Sequence, residues 1–246
     1  FQDLDAFMDV EAAAREDVDL LPGVVVEPGA LPEEADEITY PQNTAAPKWE
    51  DIDQNKYPRK HTLFLNFSGG QMIPGKDNSA INKSSLARSG MYPAYTGGQQ
   101  KAVAAAQGVA QDVSKYGIRV MYEDRPSQMV PYTMVMIGGS WQDTTLEDPA
   151  GGVAPGADCE ARGQRHVVYT FAGASSGSSG IASTSSQEAG HSWGLDHTTN
   201  GCSVMSYGGC NGDKVFSTNC DPICEEQCQG PGTIGCRLVH EKYCGE

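Results

Sequence analysis

The pattern of apolar and polar positions changes period several times along the middle of the chain. His61-Thr62-Leu63-Phe64-Leu65-Asn66-Phe67 alternates as a strand does and is rich in bulky apolar residues. A polar loop with glycines follows. From Gln99 to Lys115 the apolar residues fall at Ala102, Val103, Ala106, Val109, Ala110 and Val113. That is the spacing of one helix face, and Gly117 is placed to end it. Ile118 to Tyr122, Tyr132 to Ile137 and His166 to Phe171 read as three more strands, the second closed by Gly138-Gly139. Gly173 to Ser186 is rich in glycine, serine and alanine. It reads as a loop running into a second helix, with Ser179 or Ser183 as candidate caps. Strand, helix, three strands and helix predict an α/β (α+β) domain with a twisted sheet and a helix packed on it.

The flanks are of different composition. Residues 1–60 hold 15 acidic and 5 basic residues, a net of −10, against −5 for the remaining 186. Leu4 to Ala14 suits a short acidic helix. Pro22, Pro28, Pro32, Pro41 and Pro47 then favour extended chain and turns. This segment is either a solvated acidic tail or a prosegment, with Arg59-Lys60 as the maturation step. Residues 61–200 form the upper domain and residues 201–246 a cysteine-rich lower part, where Pro222 to Gln227 suits a helical turn or two. The Asp51-x-Asp53-x-Asn55 run lacks the glycine and distal glutamate of a calcium loop.

Charge and cysteine narrow the setting. A net charge of −15 argues against nucleic acid and anionic membranes as partners, and no apolar run is long enough to span a bilayer. Seven of the eight cysteines (Cys159, Cys202, Cys210, Cys220, Cys224, Cys228, Cys236 and Cys244) lie in the last 45 residues. Up to four disulfides are expected, hence an exported or cell-surface protein, its signal either already removed or not included ahead of Phe1. The C-x3-C-x3-C run at Cys220, Cys224 and Cys228 has neither the close pairs nor the nearby histidine of a structural zinc site.

The candidate chemistry lies in Gln187-Glu188-Ala189-Gly190-His191-Ser192-Trp193-Gly194-Leu195-Asp196-His197, followed by Ser203-Val204-Met205-Ser206-Tyr207. Residues four apart share a helix face, so Gln187 and His191 project side by side, with Glu188 one step round. Gly194 suits the end of that helix, because a left-handed residue costs glycine little. Taken singly, Met205 is a core methionine, Trp193 and Tyr207 line a pocket or pack in the core, and His61, His166 and His240 are strand-end or surface residues.

Together the two stretches resemble the zinc-binding helix and methionine turn of the metzincin clan of metallopeptidases, whose pattern is H-E-x-x-H-x-x-G-x-x-H. Every fixed position matches except the first, where Gln187 replaces histidine. The resemblance covers about residues 61–210. Within it, Gly151-Gly152-Val153-Ala154-Pro155 and the Gln-Glu-Ala-x-His variant are similar to secreted bacterial metallopeptidases of myxobacteria. It implies a metzincin-like catalytic domain with backing helix and active-site helix, completed by the disulfide-rich C-terminal part. It further implies zinc as cofactor, Gln187, His191 and His197 as metal ligands, Glu188 as general base, Met205 as an apolar floor and Tyr207 near the metal or oxyanion. The implied reaction is endopeptidase hydrolysis of a protein or peptide substrate. Residues 1–60 are then an intramolecular inhibitor that keeps a zymogen latent, through Asp51 or Asp53 in the absence of an early cysteine.

Gln187 leaves three outcomes open. It serves as a weak neutral third ligand, or a donor comes from His166, His61 or an aspartate of the first segment, or the fold is kept without catalysis. The corresponding rival functions are a catalytically silent binding protein of the same fold and a surface module in which the cysteine-rich tail does the work.

Overall fold

A computed structural model describes residues 52, 54, 60–158, 163–173, 175–217 and 221. Leu4 to Ala14, Asp51, Asp53, Pro222 to Gln227, His240 and every cysteine except Cys202 and Cys210 lie outside them.

The main sheet has five strands: β1 (His61–Asn66), β5 (Ile118–Met121), β6 (Thr133–Gly138), β7 (Gly152–Val153) and β8 (Val167–Phe171). Their order is β5-β1-β6-β8-β7. All pairings are parallel except β7 on β8, where Gly152 faces Thr170 and Val153 faces Tyr169. Helix α1 (Gln99–Val113) leads into β5, and helix α2 (Ser178–Ser192) follows β8. A second sheet is made by β2 (Gly70–Pro74), β3 (Lys83–Ser84) and β4 (Gly90–Tyr92), in the order β3-β2-β4. The mixed α/β expectation is met.

Alternation along the strands divides the core in two. Leu63, Leu65, Val135, Ile137 and Val168 face the helices, packing with Ala106, Val109, Ala110, Ile181 and Ala189. Phe64, Met134, Met136, Val167 and Tyr169 face the second sheet, packing with Met72 and Tyr92. The second sheet lies in the stretch read as a polar loop. Its strands are too short to show a period and are held by pairing and by Met72 and Tyr92.

The predicted elements shift at their ends. The first helix stops at Val113 and passes through one 3-10 turn to Gly117, whose φ of 74° ends it. The larger correction concerns α2, which begins at Ser178, inside the expected loop, with Gly177 at its N-cap and no capping side chain. Neither Ser179 nor Ser183 caps it. Serine and glycine are poor helix formers, so packing decides here. Small residues let α1 and α2 approach closely: a Cβ on Gly108 would come within 2.8 Å of the Ala182 Cβ.

At the β5 edge, the Gln54 side-chain oxygen accepts from the Val120 amide at 2.7 Å, and Ile52 packs against the core. Below α2, a disulfide joins Cys202 to Cys210 and encloses Met205 and Tyr207. Closing a loop of this length contributes about 2–3 kcal/mol in the chain-entropy picture. Among the described residues no helix is long and apolar enough to cross a membrane.

Candidate active site

The last turn of α2 sets the geometry. The Gly194 amide donates to the His191 carbonyl at 3.0 Å and the Leu195 amide to the Gly190 carbonyl at 3.1 Å. These two bonds, with Gly194 at φ 97°, form a Schellman end. The chain reverses there, as the glycine predicts, and His197 returns to His191. Their Nε2 atoms lie 3.2 Å apart and their rings meet edge to face, centroids 4.5 Å apart.

The protonation of His191 follows from its neighbours. Its Nδ1 lies 2.8 Å from the Leu195 carbonyl oxygen, which only accepts, so Nδ1 carries the hydrogen and Nε2 is a bare lone pair. Burial lowers the pKa of His191 despite that bond and the nearby Asp196. Burial, reinforced by His191, pulls His197 down to about 3. Both imidazoles are therefore neutral near pH 7, the form in which histidine ligates metals.

Glu188 lies beside them, 7% exposed. Burial pushes its carboxyl up to about 8, partly offset by a hydrogen bond from the Ala154 backbone. Strand β7 passes directly over it. A Cβ on Gly152 would lie 2.8 Å from Glu188 Oε1 and 2.6 Å from the Thr184 methyl, so position 152 has no room for a side chain. Gln187, half-buried and one turn before His191, lines the same cavity of about 720 Å³ as Glu188, His191, His197, Ser206 and Tyr207.

The floor comes from the turn after His197. Met205 is fully buried, and a Cβ on Gly190 would come 2.5 Å from its sulfur, so the bare backbone of α2 rests on it. The Met205 carbonyl accepts from the Thr198 amide at 3.0 Å, and the Met205 amide donates to Ser203 Oγ at 2.9 Å. Tyr207 is 69% exposed, its ring stacked on His197 at 4.1 Å.

The two other candidate histidines, His61 and His166, are engaged elsewhere. His61 Nε2 accepts from the Thr133 amide at 3.0 Å and lies 3.0 Å from Thr133 Oγ1. His166 Nε2 lies 3.0 Å from Asp158 Oδ2. Three contributors carry no signal in the motif. The Asp158 amide donates to the His191 carbonyl at 2.9 Å and ties a distant loop to the end of α2. Asp196, 3% exposed, accepts from the His197 amide at 2.8 Å. Lys214 lines the cavity from beyond the methionine turn.

Zinc fits this donor set in part. Two nitrogens at about 2.0–2.1 Å from a tetrahedral ion are roughly 3.4 Å apart, close to the observed 3.2 Å. Among the described residues no three His, Cys, Asp or Glu side chains gather as a ligand set; Gln187, in the same cavity, is a further candidate oxygen donor. No protein-family model, curated protein or solved structure matches the chain.

Proposed function

We propose that the protein is an exported zinc-dependent endopeptidase of metzincin type, made with residues 1–60 as a latency segment. The observation that carries this reading is the pair of neutral imidazoles, with Nε2 atoms 3.2 Å apart, beside a buried glutamate in one cavity. His191 and His197 would hold the ion and Gln187 would complete the set, more weakly than a histidine. What a bound zinc ion supplies is charge that polarises a carbonyl and eases deprotonation of a water.

The chain's own groups do the rest. A cation nearby would favour the carboxylate form of Glu188, which would then take the water proton and pass it to the leaving amine. The Tyr207 hydroxyl, on the ring stacked against His197, would donate to the developing oxyanion. The Leu195 carbonyl fixes the His191 tautomer, as outer partners of metal ligands do. Strand β7 ends the sheet along the cavity, so its outer side can accept an extended peptide as an added strand.

The rival reading is a metal-free fold in which His197 Nε2–H simply donates to His191. Metal analysis separates the two, together with chelator-sensitive cleavage of an unfolded protein after removal of residues 1–60. No bound divalent metal and no cleavage would leave the binding-protein reading. Gln187→His should tighten zinc binding by about tenfold or more if that side chain faces the ion. An unchanged dissociation constant would remove Gln187 from the ligand set.

A further inference from the structure

Among the described residues lining the cavity that holds His191 and His197, Lys214 is the sole lysine or arginine. Its Nζ donates to the carbonyl oxygen of Ser206, the residue after Met205. Among the described residues, Lys214 makes no ion pair within 4.0 Å of a carboxylate. Burial lowers its pKa. An ammonium has three donors, and the bond to Ser206 uses one.

A purely structural lysine is poorly motivated here. The backbone already fixes this part of the chain. The Val204 amide donates to the Val215 carbonyl at 3.0 Å, the Val215 amide to the Cys202 carbonyl at 3.1 Å, and the Cys202–Cys210 disulfide closes the loop. A neutral side chain at 214 would leave all of these in place. Two carboxylates, Glu188 and Asp196, line the same cavity beside the histidines, and the wall formed by Ala150, Gly151 and Ala157 is small and uncharged. In a chain of net charge −15, long-range attraction cannot favour acidic peptides, so any preference for them must be built locally.

We propose that Lys214 selects peptides carrying a carboxylate near the reacting bond, either an aspartate or glutamate side chain or the terminal carboxylate. The inference rests on the peptidase reading, since it gives that cavity its substrate class. Charge-assisted bonds to a carboxylate support a preference of about tenfold or more over the matching amide.

The test measures binding of fluorescent hexapeptides by anisotropy to the full chain and to the chain freed of residues 1–60, with chelator present so that no metal contributes. Aspartate is compared with asparagine at each position, and a free C-terminus with an amidated one. The expected result is a preference of about tenfold for the carboxylate at one site, which also tells side chain from terminus. Lys214→Met should lose it, Lys214→Arg should keep it, and Lys214→Glu should favour lysine at that site, with melting curves confirming that each variant folds. No peptide binding, no preference, or a preference that survives in Lys214→Met would overturn the proposal. Selective binding without hydrolysis on adding zinc would keep this inference and remove the peptidase reading. Hydrolysis indifferent to charge would do the reverse.

Discussion

Helices α1 and α2 are the same length, 15 residues, and pack on the same face of the same sheet, yet only α2 adds a set of buried polar groups to its apolar contacts. The buried face of α1 is Ala102, Ala105, Ala106, Val109, Ala110 and Val113. That of α2 includes Ser185, Ser186, Glu188, His191 and Ser192. Removing aliphatic surface from water stabilises α1 directly. Burying polar groups in α2 costs free energy unless each finds a partner. Ser185 pairs with Thr170 Oγ1 at 3.0 Å, Ser186 donates to Asp112 at 2.7 Å, and Ser192 donates to the Ala189 carbonyl at 2.7 Å. One helix holds the fold, and the other is held by it in order to present reactive groups.

Substitutions can break this division or sharpen it. The largest effect is expected for Val109→Asp, which puts an unpaired charge into the aliphatic face. The cost should exceed about 5 kcal/mol, and circular dichroism should show an unfolded chain. Next is Glu188→Gln, which on the proposed peptidase reading should lower peptide hydrolysis about 10³-fold, roughly 4 kcal/mol in barrier, while the melting temperature stays level or rises. Hydrolysis at the wild-type rate would remove Glu188 from the mechanism, and a collapse in stability would make α2 a scaffold like α1.

Asp112 sits on the helix of the wrong kind. Burial pushes its carboxyl up to about 7, with Asp213 adding to the rise and Ser186 and Lys115 opposing it. A carboxyl raised above its unfolded value binds more protons when folded, so stability falls as pH rises from about 4 to about 7. Asp112→Asn should therefore stabilise the protein by about 2–4 kcal/mol at pH 8 and by almost nothing at pH 4. Denaturant melts at the two pH values check this. An equal effect at both would mean that the carboxyl does not titrate in that window. The smallest effect is expected for Gly194→Ala, about 1 kcal/mol, because only glycine adopts φ 97° freely. Zinc titration of this variant should show weaker binding, since His197 depends on that reversal.

The same contrast explains what could be read from the residues alone. Strands β1, β5, β6 and β8 and helix α1 show their periods because solvent exclusion wrote apolar residues at regular intervals. Helix α2 hides its first nine residues, because serine and glycine at close helix contacts mimic a loop. Strand β7 is two residues long and exists only through its pairing with β8. At the site, Glu188, His191 and His197 line one cavity, Gly194 ends the helix and Met205 lies against Gly190. Asp158 and Lys214 reach the site across the fold, and no local spacing records such contacts.

Strand β7 has one more consequence, for the behaviour of the protein in crowded solution. A sheet edge open to a peptide is equally open to the edge of a neighbouring copy, which is how growing β-aggregates recruit chains. Here the paired part is only Gly152–Val153, bracketed in the chain by Pro149 and Pro155, neither of which can donate to a ladder. The edge offers a foothold to a single strand and too little length for a sheet to propagate from it.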